Sequence, residues 1–309
     1  MRDETHLDLA TARALVRASL AEQRPGAPHG LGSLAPVDKP RRAQVFCAAR
    51  PDERIVVKVY APAWADKARA QVARQRAVVT ALPDAAPEVL FFDESRLVLG
   101  MAYADGPSLS ALWPYLSEAD RATRLQAAGH WLRRLHGTSL EPYPFRPKGQ
   151  LAWLQKLIMQ HEFGGRLIPD VGQFRLEVAA LAEQVPEVRG TPSVRAVTHR
   201  DLHLSNLMLT PNRLIGLDFE NDAPDEPMRD LVALLLDAEA HGGGLEALSE
   251  ALGEGYGITG SIGPATLFLQ RLFALGVWAT TPPAPSLRQR ARFVAAQRIL
   301  SARAPLLPV

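Results

Sequence analysis

Residues 197–220 constrain this chain more than any other stretch. They read Val-Thr-His-Arg-Asp-Leu-His-Leu-Ser-Asn-Leu-Met-Leu-Thr-Pro-Asn-Arg-Leu-Ile-Gly-Leu-Asp-Phe-Glu. Two short apolar runs, Leu207-Met208-Leu209 and Leu214-Ile215-Gly216-Leu217, flank a turn at Pro211-Asn212, which is a β-hairpin signature. The hairpin is expected to return Asp218 to the mouth of the loop that carries Asp201 and Asn206. That grouping offers one carboxylate for a reacting hydroxyl and two oxygen donors for a hard cation such as Mg2+. Asp and Asn are common turn residues, so neither is informative alone. Their offsets behind His199-Arg200 and around the hairpin carry the signal.

His199-Arg200-Asp201-Leu202, three residues, then Asn206 matches a kinase catalytic loop, in which the Asp positions and deprotonates a hydroxyl and the Asn holds metal. On these residues the chain resembles the aminoglycoside phosphotransferase and choline kinase family, a branch of the protein-kinase-like fold. The resemblance runs from about Leu31 to about Asp237 and is strongest over residues 197–237. It implies an α+β, protein-kinase-like, two-lobed fold. Residues 1–104 would form a small antiparallel β-sheet lobe that binds nucleotide, opened by a helix and linker over 1–30. Residues 105–309 would form a larger, mainly helical lobe with the catalytic loop and acceptor site. The implied cofactors are ATP and Mg2+, and the implied reaction is transfer of the γ-phosphoryl group to a hydroxyl of an aminoglycoside-, choline- or sugar-like molecule. Asp201 would be the base or positioner, Asn206 and Asp218 the metal ligands, and His199 the tie between the loop and the segment around Asp218.

Three strands are expected near residues 31–37, 44–49 and 54–60, with a turn at Pro51-Asp52-Glu53. In the third, Ile55, Val57 and Val59 alternate with Val56, Lys58 and Tyr60. A lysine inside so apolar a strand needs an anionic partner. The resemblance makes Lys58 the clamp on the nucleotide phosphates. The connection Asp38-Lys39-Pro40-Arg41-Arg42 lacks a glycine-rich loop, so Lys39, Arg41 or Arg42 either approach phosphates or form a solvated turn. The helix over about 65–82 puts Val72, Gln75, Val79 and Leu82 on one face. The family pairs its strand lysine with a Glu there. Here Gln75 is the best-placed residue, able to hydrogen-bond Lys58 but not to neutralise it. After strands near 88–92 and 97–103, Asp105-Gly106-Pro107 ends the sheet. The resemblance puts the adenine edge on the backbone of Ala102 and Ala104, with Met101 lining the pocket.

The rest reads as helical. Thr5 is expected to cap a first helix carrying Leu9, Ala12, Val16 and Leu20. Ser117 is expected to cap a long helix with Leu125, Ala128, Leu132 and Leu135 on its core face, ending at His136-Gly137. His136 reads as a packed structural histidine. Pro142, Pro144 and Pro147 read as an irregular connection, followed by helices near 151–163, 171–185, 264–279 and from Ser286. Asp230 opens an apolar helix; it is either a helix-start acid or, by the resemblance, a brace under the catalytic loop.

Residues 219–229 leave no room for a protein-kinase activation segment and its Ala-Pro-Glu element, which argues for a small acceptor. Glu220, Asp222, Asp225 and Glu226 could form an acidic rim suited to a cationic acceptor, and a solvated loop explains them equally. A net charge of +2 gives no argument for nucleic acid or membrane as partner. The single cysteine, Cys47, permits no intrachain disulfide, and the start, Met1-Arg2-Asp3-Glu4, does not read as a secretory leader. A cytoplasmic protein is the expectation. Two other readings stay open: a nucleotide-binding pseudokinase, suggested by Gln75 and the missing glycines, and a protein kinase. The acceptor, ATP against GTP, and the oligomeric state are not legible.

Overall fold

The computed structural model describes residues 5–34, 41–257 and 264–307. Along the chain run α1 (Leu9–Gln23), β1 (Gly30–Ser33), β2 (Ala43–Arg50), β3 (Glu53–Tyr60), α2 (Ala65–Ala81), β4 (Val89–Asp93) and β5 (Val98–Ala102). Then come α3 (Leu109–Leu112), α4 (Glu118–Gly137), β6 (Glu141–Pro144), α5 (Lys148–Glu162), α6 (Val171–Glu183), α7 (Val185–Val188) and β7 (Pro192–Val197). The chain continues with β8 (Leu207–Leu209), β9 (Leu214–Gly216), β10 (Pro224–Asp225), α8 (Met228–Ala240), α9 (Leu245–Tyr256), α10 (Pro264–Thr280) and α11 (Leu287–Ser301). Two compact units form: Met1–Gly106 with Met208–Asp222, and Pro107–Leu207 with Ala223–Val309.

The first unit is an antiparallel sheet in the order β1-β2-β3-β5-β4. The alternation in β3 works as expected: Ile55, Val57 and Val59 bury into a cluster with Val16 and Leu20 of α1, Phe46 and Val98. Each such side chain contributes roughly 1.5–3 kcal/mol when fully buried. On the other face, Tyr60 packs with Ala68 of α2 and Leu97, and Val72 of α2 packs with Leu99 and Met101. Asp8, not Thr5, caps α1, because its carboxylate accepts the Thr11 amide at 2.9 Å and suits the positive end of the helix. Strand β1 is seen over Gly30–Ser33. Leu34 follows as a bend whose amide donates to the Val45 carbonyl at 2.9 Å, and residues 35–37 of the expected strand, with Lys39, lie outside the described residues. The Arg41 backbone is bridged to Leu7, and the Arg42 guanidinium lies 5.6 Å from the Trp64 ring centre.

The second unit is mainly helical. Ser117 caps α4, and Leu125, Ala128, Leu132 and Leu135 are fully buried. Helices α4 and α9 cross at glycines: a Cβ on Gly129 would lie 2.5 Å from the Leu252 carbonyl oxygen, and one on Gly255 would lie 2.0 Å from that of Gln126. Capping by Ser286 starts α11. One element escaped the sequence reading: a three-stranded sheet in the order β10-β7-β6. Pro142 and Pro144 sit in β6 because it is an edge strand, where a missing N–H costs no ladder bond. This sheet matters because β7 leads directly into residues 198–206. Among the described residues no helix is long and apolar enough to cross a membrane.

Candidate active site

The catalytic-loop motif lies in the second unit, and its frame is a pair of buried acids on α8. Asp230 is fully buried in the first turn of that helix. Its Oδ2 accepts the His199 amide at 2.6 Å and His136 Nε2 at 3.0 Å, and its Oδ1 accepts the Arg200 amide at 2.8 Å. Burial pushes this carboxyl up, but the His136 hydrogen bond and the nearby histidines outweigh it and hold the group below its ordinary value. His136 is the structural histidine expected, also within hydrogen-bond distance of the Tyr256 hydroxyl at 3.0 Å. Of the two readings of Asp230, the loop brace is the one seen. Two turns on, Asp237 is also fully buried; it accepts the Leu204 amide at 2.9 Å and the Arg288 guanidinium at 2.8 Å. The sequence reading missed Asp237, although a second acid seven residues on in an apolar helix was a usable signal.

Between these clamps the loop turns sharply. Arg200 has φ +66°, a strained left-handed conformation for a non-glycine residue. Leu202 and Leu204 are buried, whereas the Asp201 side chain is 75% exposed. The Asn206 amide nitrogen donates to the Asp201 carbonyl at 2.9 Å, which leaves the amide oxygen for another partner. His199 is buried, and its backbone amide is held by Asp230.

The residues expected to clamp phosphate lie in the first unit. Lys58, 7% exposed, reaches Asp218 Oδ1 at 2.5 Å, Gln71 Oε1 at 2.9 Å and Glu220 Oε1 at 3.0 Å. Burial would push this ammonium down, but Asp218, with Tyr60 and Glu220, outweighs it and holds the group above its ordinary value. Gln75 is not the helix partner of Lys58. Its amide donates to the Pro87 carbonyl at 2.8 Å and lies 3.3 Å from Met101 Sδ. Gln71, one turn earlier, takes that place and also accepts the Tyr60 hydroxyl. Both glutamines are buried, so helical periodicity could not choose between them.

Asp218 is held by the β8–β9 hairpin and sits at φ +64°. The Gly216 amide donates to the Ala85 carbonyl at 2.8 Å, and Arg213 pairs with Asp84 at 2.5 Å. Gly106 (φ +153°) packs directly on this hairpin: a Cβ there would sit 2.0 Å from the Leu209 carbonyl oxygen. Of the expected adenine-edge residues, Met101 is buried and Ala102 already donates its amide to the Glu88 carbonyl at 2.9 Å. Ala102 can therefore offer only its carbonyl; Ala104 lies just beyond the strand. Arg54 stacks 3.8 Å from the Tyr103 ring centre and pairs with Asp105 at 3.0 Å, steadying this stretch.

The acidic rim dissolves on inspection. Glu220 bonds two lysines, Asp225 pairs with Arg229 at 2.6 Å and Arg200 at 3.3 Å, and Glu226 is buried. Only Asp222 is exposed. Burial pushes the Glu226 carboxyl up to about 7, opposed by hydrogen bonds from Tyr143 and Ser193. Among the described residues no three His, Cys, Asp or Glu side chains converge on a metal position. Asp218 in the first unit and Asn206 in the second each carry a side-chain oxygen, the donor type that Mg2+ takes.

An antiparallel sheet unit carrying a buried lysine, and a helical unit carrying a braced Asp/Asn loop, define a kinase-like fold, and comparison with solved structures agrees. A choline/ethanolamine kinase family protein from Mesorhizobium loti superposes with a TM-score of 0.63 at 18% identity, covering 94% of this chain and 96% of that one. The choline kinase LicA from Streptococcus pneumoniae gives 0.60 at 16% identity, covering 94% and 98%. An aminoglycoside phosphotransferase from Streptomyces rimosus, in complex with ADP and streptomycin, gives 0.57 at 17% identity, covering 93% and 99%. No curated protein sequence matches the chain. The description of the phosphotransferase enzyme family matches residues 34–268, and the chain belongs to that family.

Proposed function

We propose that this protein transfers the γ-phosphoryl group of ATP to a hydroxyl of a small molecule. The observation that carries the reading is the Lys58–Asp218 pair at 2.5 Å, built on the same chain as an exposed Asp201 whose loop is bonded to buried Asp230. Lys58 binds the nucleotide phosphates. Asp201, open to solvent, orients the acceptor hydroxyl and takes its proton. Asn206 and Asp218 would be the ligands of Mg2+, and that ion would offset charge on the phosphates. His199 ties the loop to the segment around Asp218, and its amide, bonded to Asp230, helps fix the turn that presents Asp201.

The acceptor is a small molecule, as it is for the structural relatives named for choline and aminoglycosides. A cationic acceptor rests on that likeness and not on an acidic rim, whose charges are mostly matched within the protein. The short segment after Asp218 disfavours a protein acceptor. A coupled ADP-release assay with Mg-ATP against a panel of amino alcohols, cholines, aminoglycosides and sugars tests the reading. One acceptor should give turnover, and Asp201→Ala should lower it roughly 10²- to 10⁴-fold while nucleotide still binds. Full activity in that variant would refute the assignment. Nucleotide binding without turnover on any acceptor would favour a pseudokinase.

A further inference from the structure

We infer that Glu220, rather than any acid on α2, is the positioning residue that keeps Lys58 in place during phosphoryl transfer. The inference rests on the phosphotransferase reading and deepens it. A lysine that clamps phosphates needs a counter-ion that stays with it when the metal arrives. Asp218 cannot fill that role alone, because a carboxylate that binds Mg2+ gives up much of its charge to the metal. The side chain on α2 that meets Lys58 is Gln71, a neutral amide. Glu220 is the remaining carboxylate on the Lys58 ammonium, at 3.0 Å.

Glu220 is itself held. Its second oxygen pairs with Lys67 of α2 at 2.5 Å, and its side chain is 19% exposed. Phe219, buried beside it, anchors the backbone between Asp218 and Glu220. Helix α2 therefore still contributes to the lysine, but indirectly: Lys67 fixes Glu220, and Glu220 fixes Lys58. The charge that a helix acid would supply comes from the segment just after the metal-binding Asp.

The surroundings of Gln71 supply the test. Its Oε1 accepts from both Lys58 and Tyr60, and its Nε2 is buried without a hydrogen-bond partner. A carboxylate at this position would meet the same two donors and remove the orphaned N–H. Gln71→Glu should therefore rebuild the counter-ion on the helix. The experiment compares the wild type with Glu220→Gln, Gln71→Glu and the double variant. Three quantities are measured: binding of a fluorescent ATP analogue with and without Mg2+, ADP release, and acylation of Lys58 by an amine reagent in the Mg-ADP complex.

Glu220→Gln is expected to slow ADP release roughly 10- to 100-fold, with nucleotide affinity changed by less than about threefold, and to raise Lys58 acylation. Adding Gln71→Glu should recover most of the rate and restore protection of Lys58. Lys67→Met, which leaves Glu220 present, should give a smaller loss in the same direction and serves if Glu220→Gln folds poorly. A Glu220→Gln rate equal to wild type, or a loss that Gln71→Glu does not recover, would overturn the inference. So would a loss confined to the Mg2+-dependent part of nucleotide affinity, since that would make Glu220 a metal ligand. Lys58 acylation reports the anchor even without turnover. A wild type that binds no nucleotide would instead refute the phosphotransferase reading itself.

Discussion

The loop of residues 198–206 and the proposed lysine clamp at Lys58 are both organised by buried or half-buried acids, but those acids do different work. In the loop, Asp230 and Asp237 accept backbone amides of residues 199, 200 and 204. They set where the chain runs, so their removal is a folding event. In the clamp, Asp218 and Glu220 accept from the Lys58 side chain. They set the charge of a group already placed by β3, so their removal is a chemical event. The difference shows that the same residue type serves shape where it meets backbone and function where it meets a side chain.

The largest expected effect tests the first half of that contrast. Asp230→Ala leaves two amides and a buried histidine without their acceptor, and should destabilise the protein by roughly 3–5 kcal/mol in denaturant unfolding. Wild-type stability in that variant would break the comparison. Next in size is Asp218→Ala. Even an outer partner of a metal ligand is worth roughly 10- to 100-fold in affinity, so Mg2+-dependent nucleotide binding should fall at least that much. The thermal midpoint should move only a few degrees, because Glu220 and Gln71 remain on Lys58. Affinity that is unchanged with Mg2+ would remove Asp218 from the metal site.

The smallest effect sharpens the contrast through pH. Asp230 is held below its ordinary value of 3.8, so its contribution is present above that value and fades as pH falls through the lowered one. Glu226 runs the other way. Its carboxyl is raised from 4.5 to about 7, so the folded protein holds a proton that the unfolded chain releases. Stability should therefore decline as pH rises from about 4.5 to about 7. Glu226→Gln should flatten that decline and add at most roughly 3 kcal/mol at pH 8. A variant whose unfolding free energy keeps the wild-type slope across this window would show that another group causes it.

Much of the arrangement was legible in residue order. The β3 alternation placed Lys58 on the face opposite the α1 core, and the Pro211-Asn212 turn announced the hairpin that carries Asp218. The apolar stripe of α4 and its Ser117 cap were equally plain. These are local matters: a period of two, a turn residue and a capping hydroxyl leave their marks within a few positions. The edge strand β6 was hidden by its prolines, since a residue that forbids a central strand says nothing about an edge one.

The sequence by itself determined the chemistry available: an Asp and Asn at kinase spacing, a hairpin ending in a second Asp, and a lysine in an apolar strand. Only the tertiary structure decided which neighbours those groups have. It chose Gln71 over Gln75, because the register of α2 over the sheet selects the turn that faces Lys58, and periodicity names only the face. It also matched Glu220 and Asp225 with basic partners and buried Glu226, turning an apparent acidic rim into internal ion pairs and one buried carboxyl. Long-range pairing leaves no local signature, because the partners of a charge are set by packing between segments far apart in the chain.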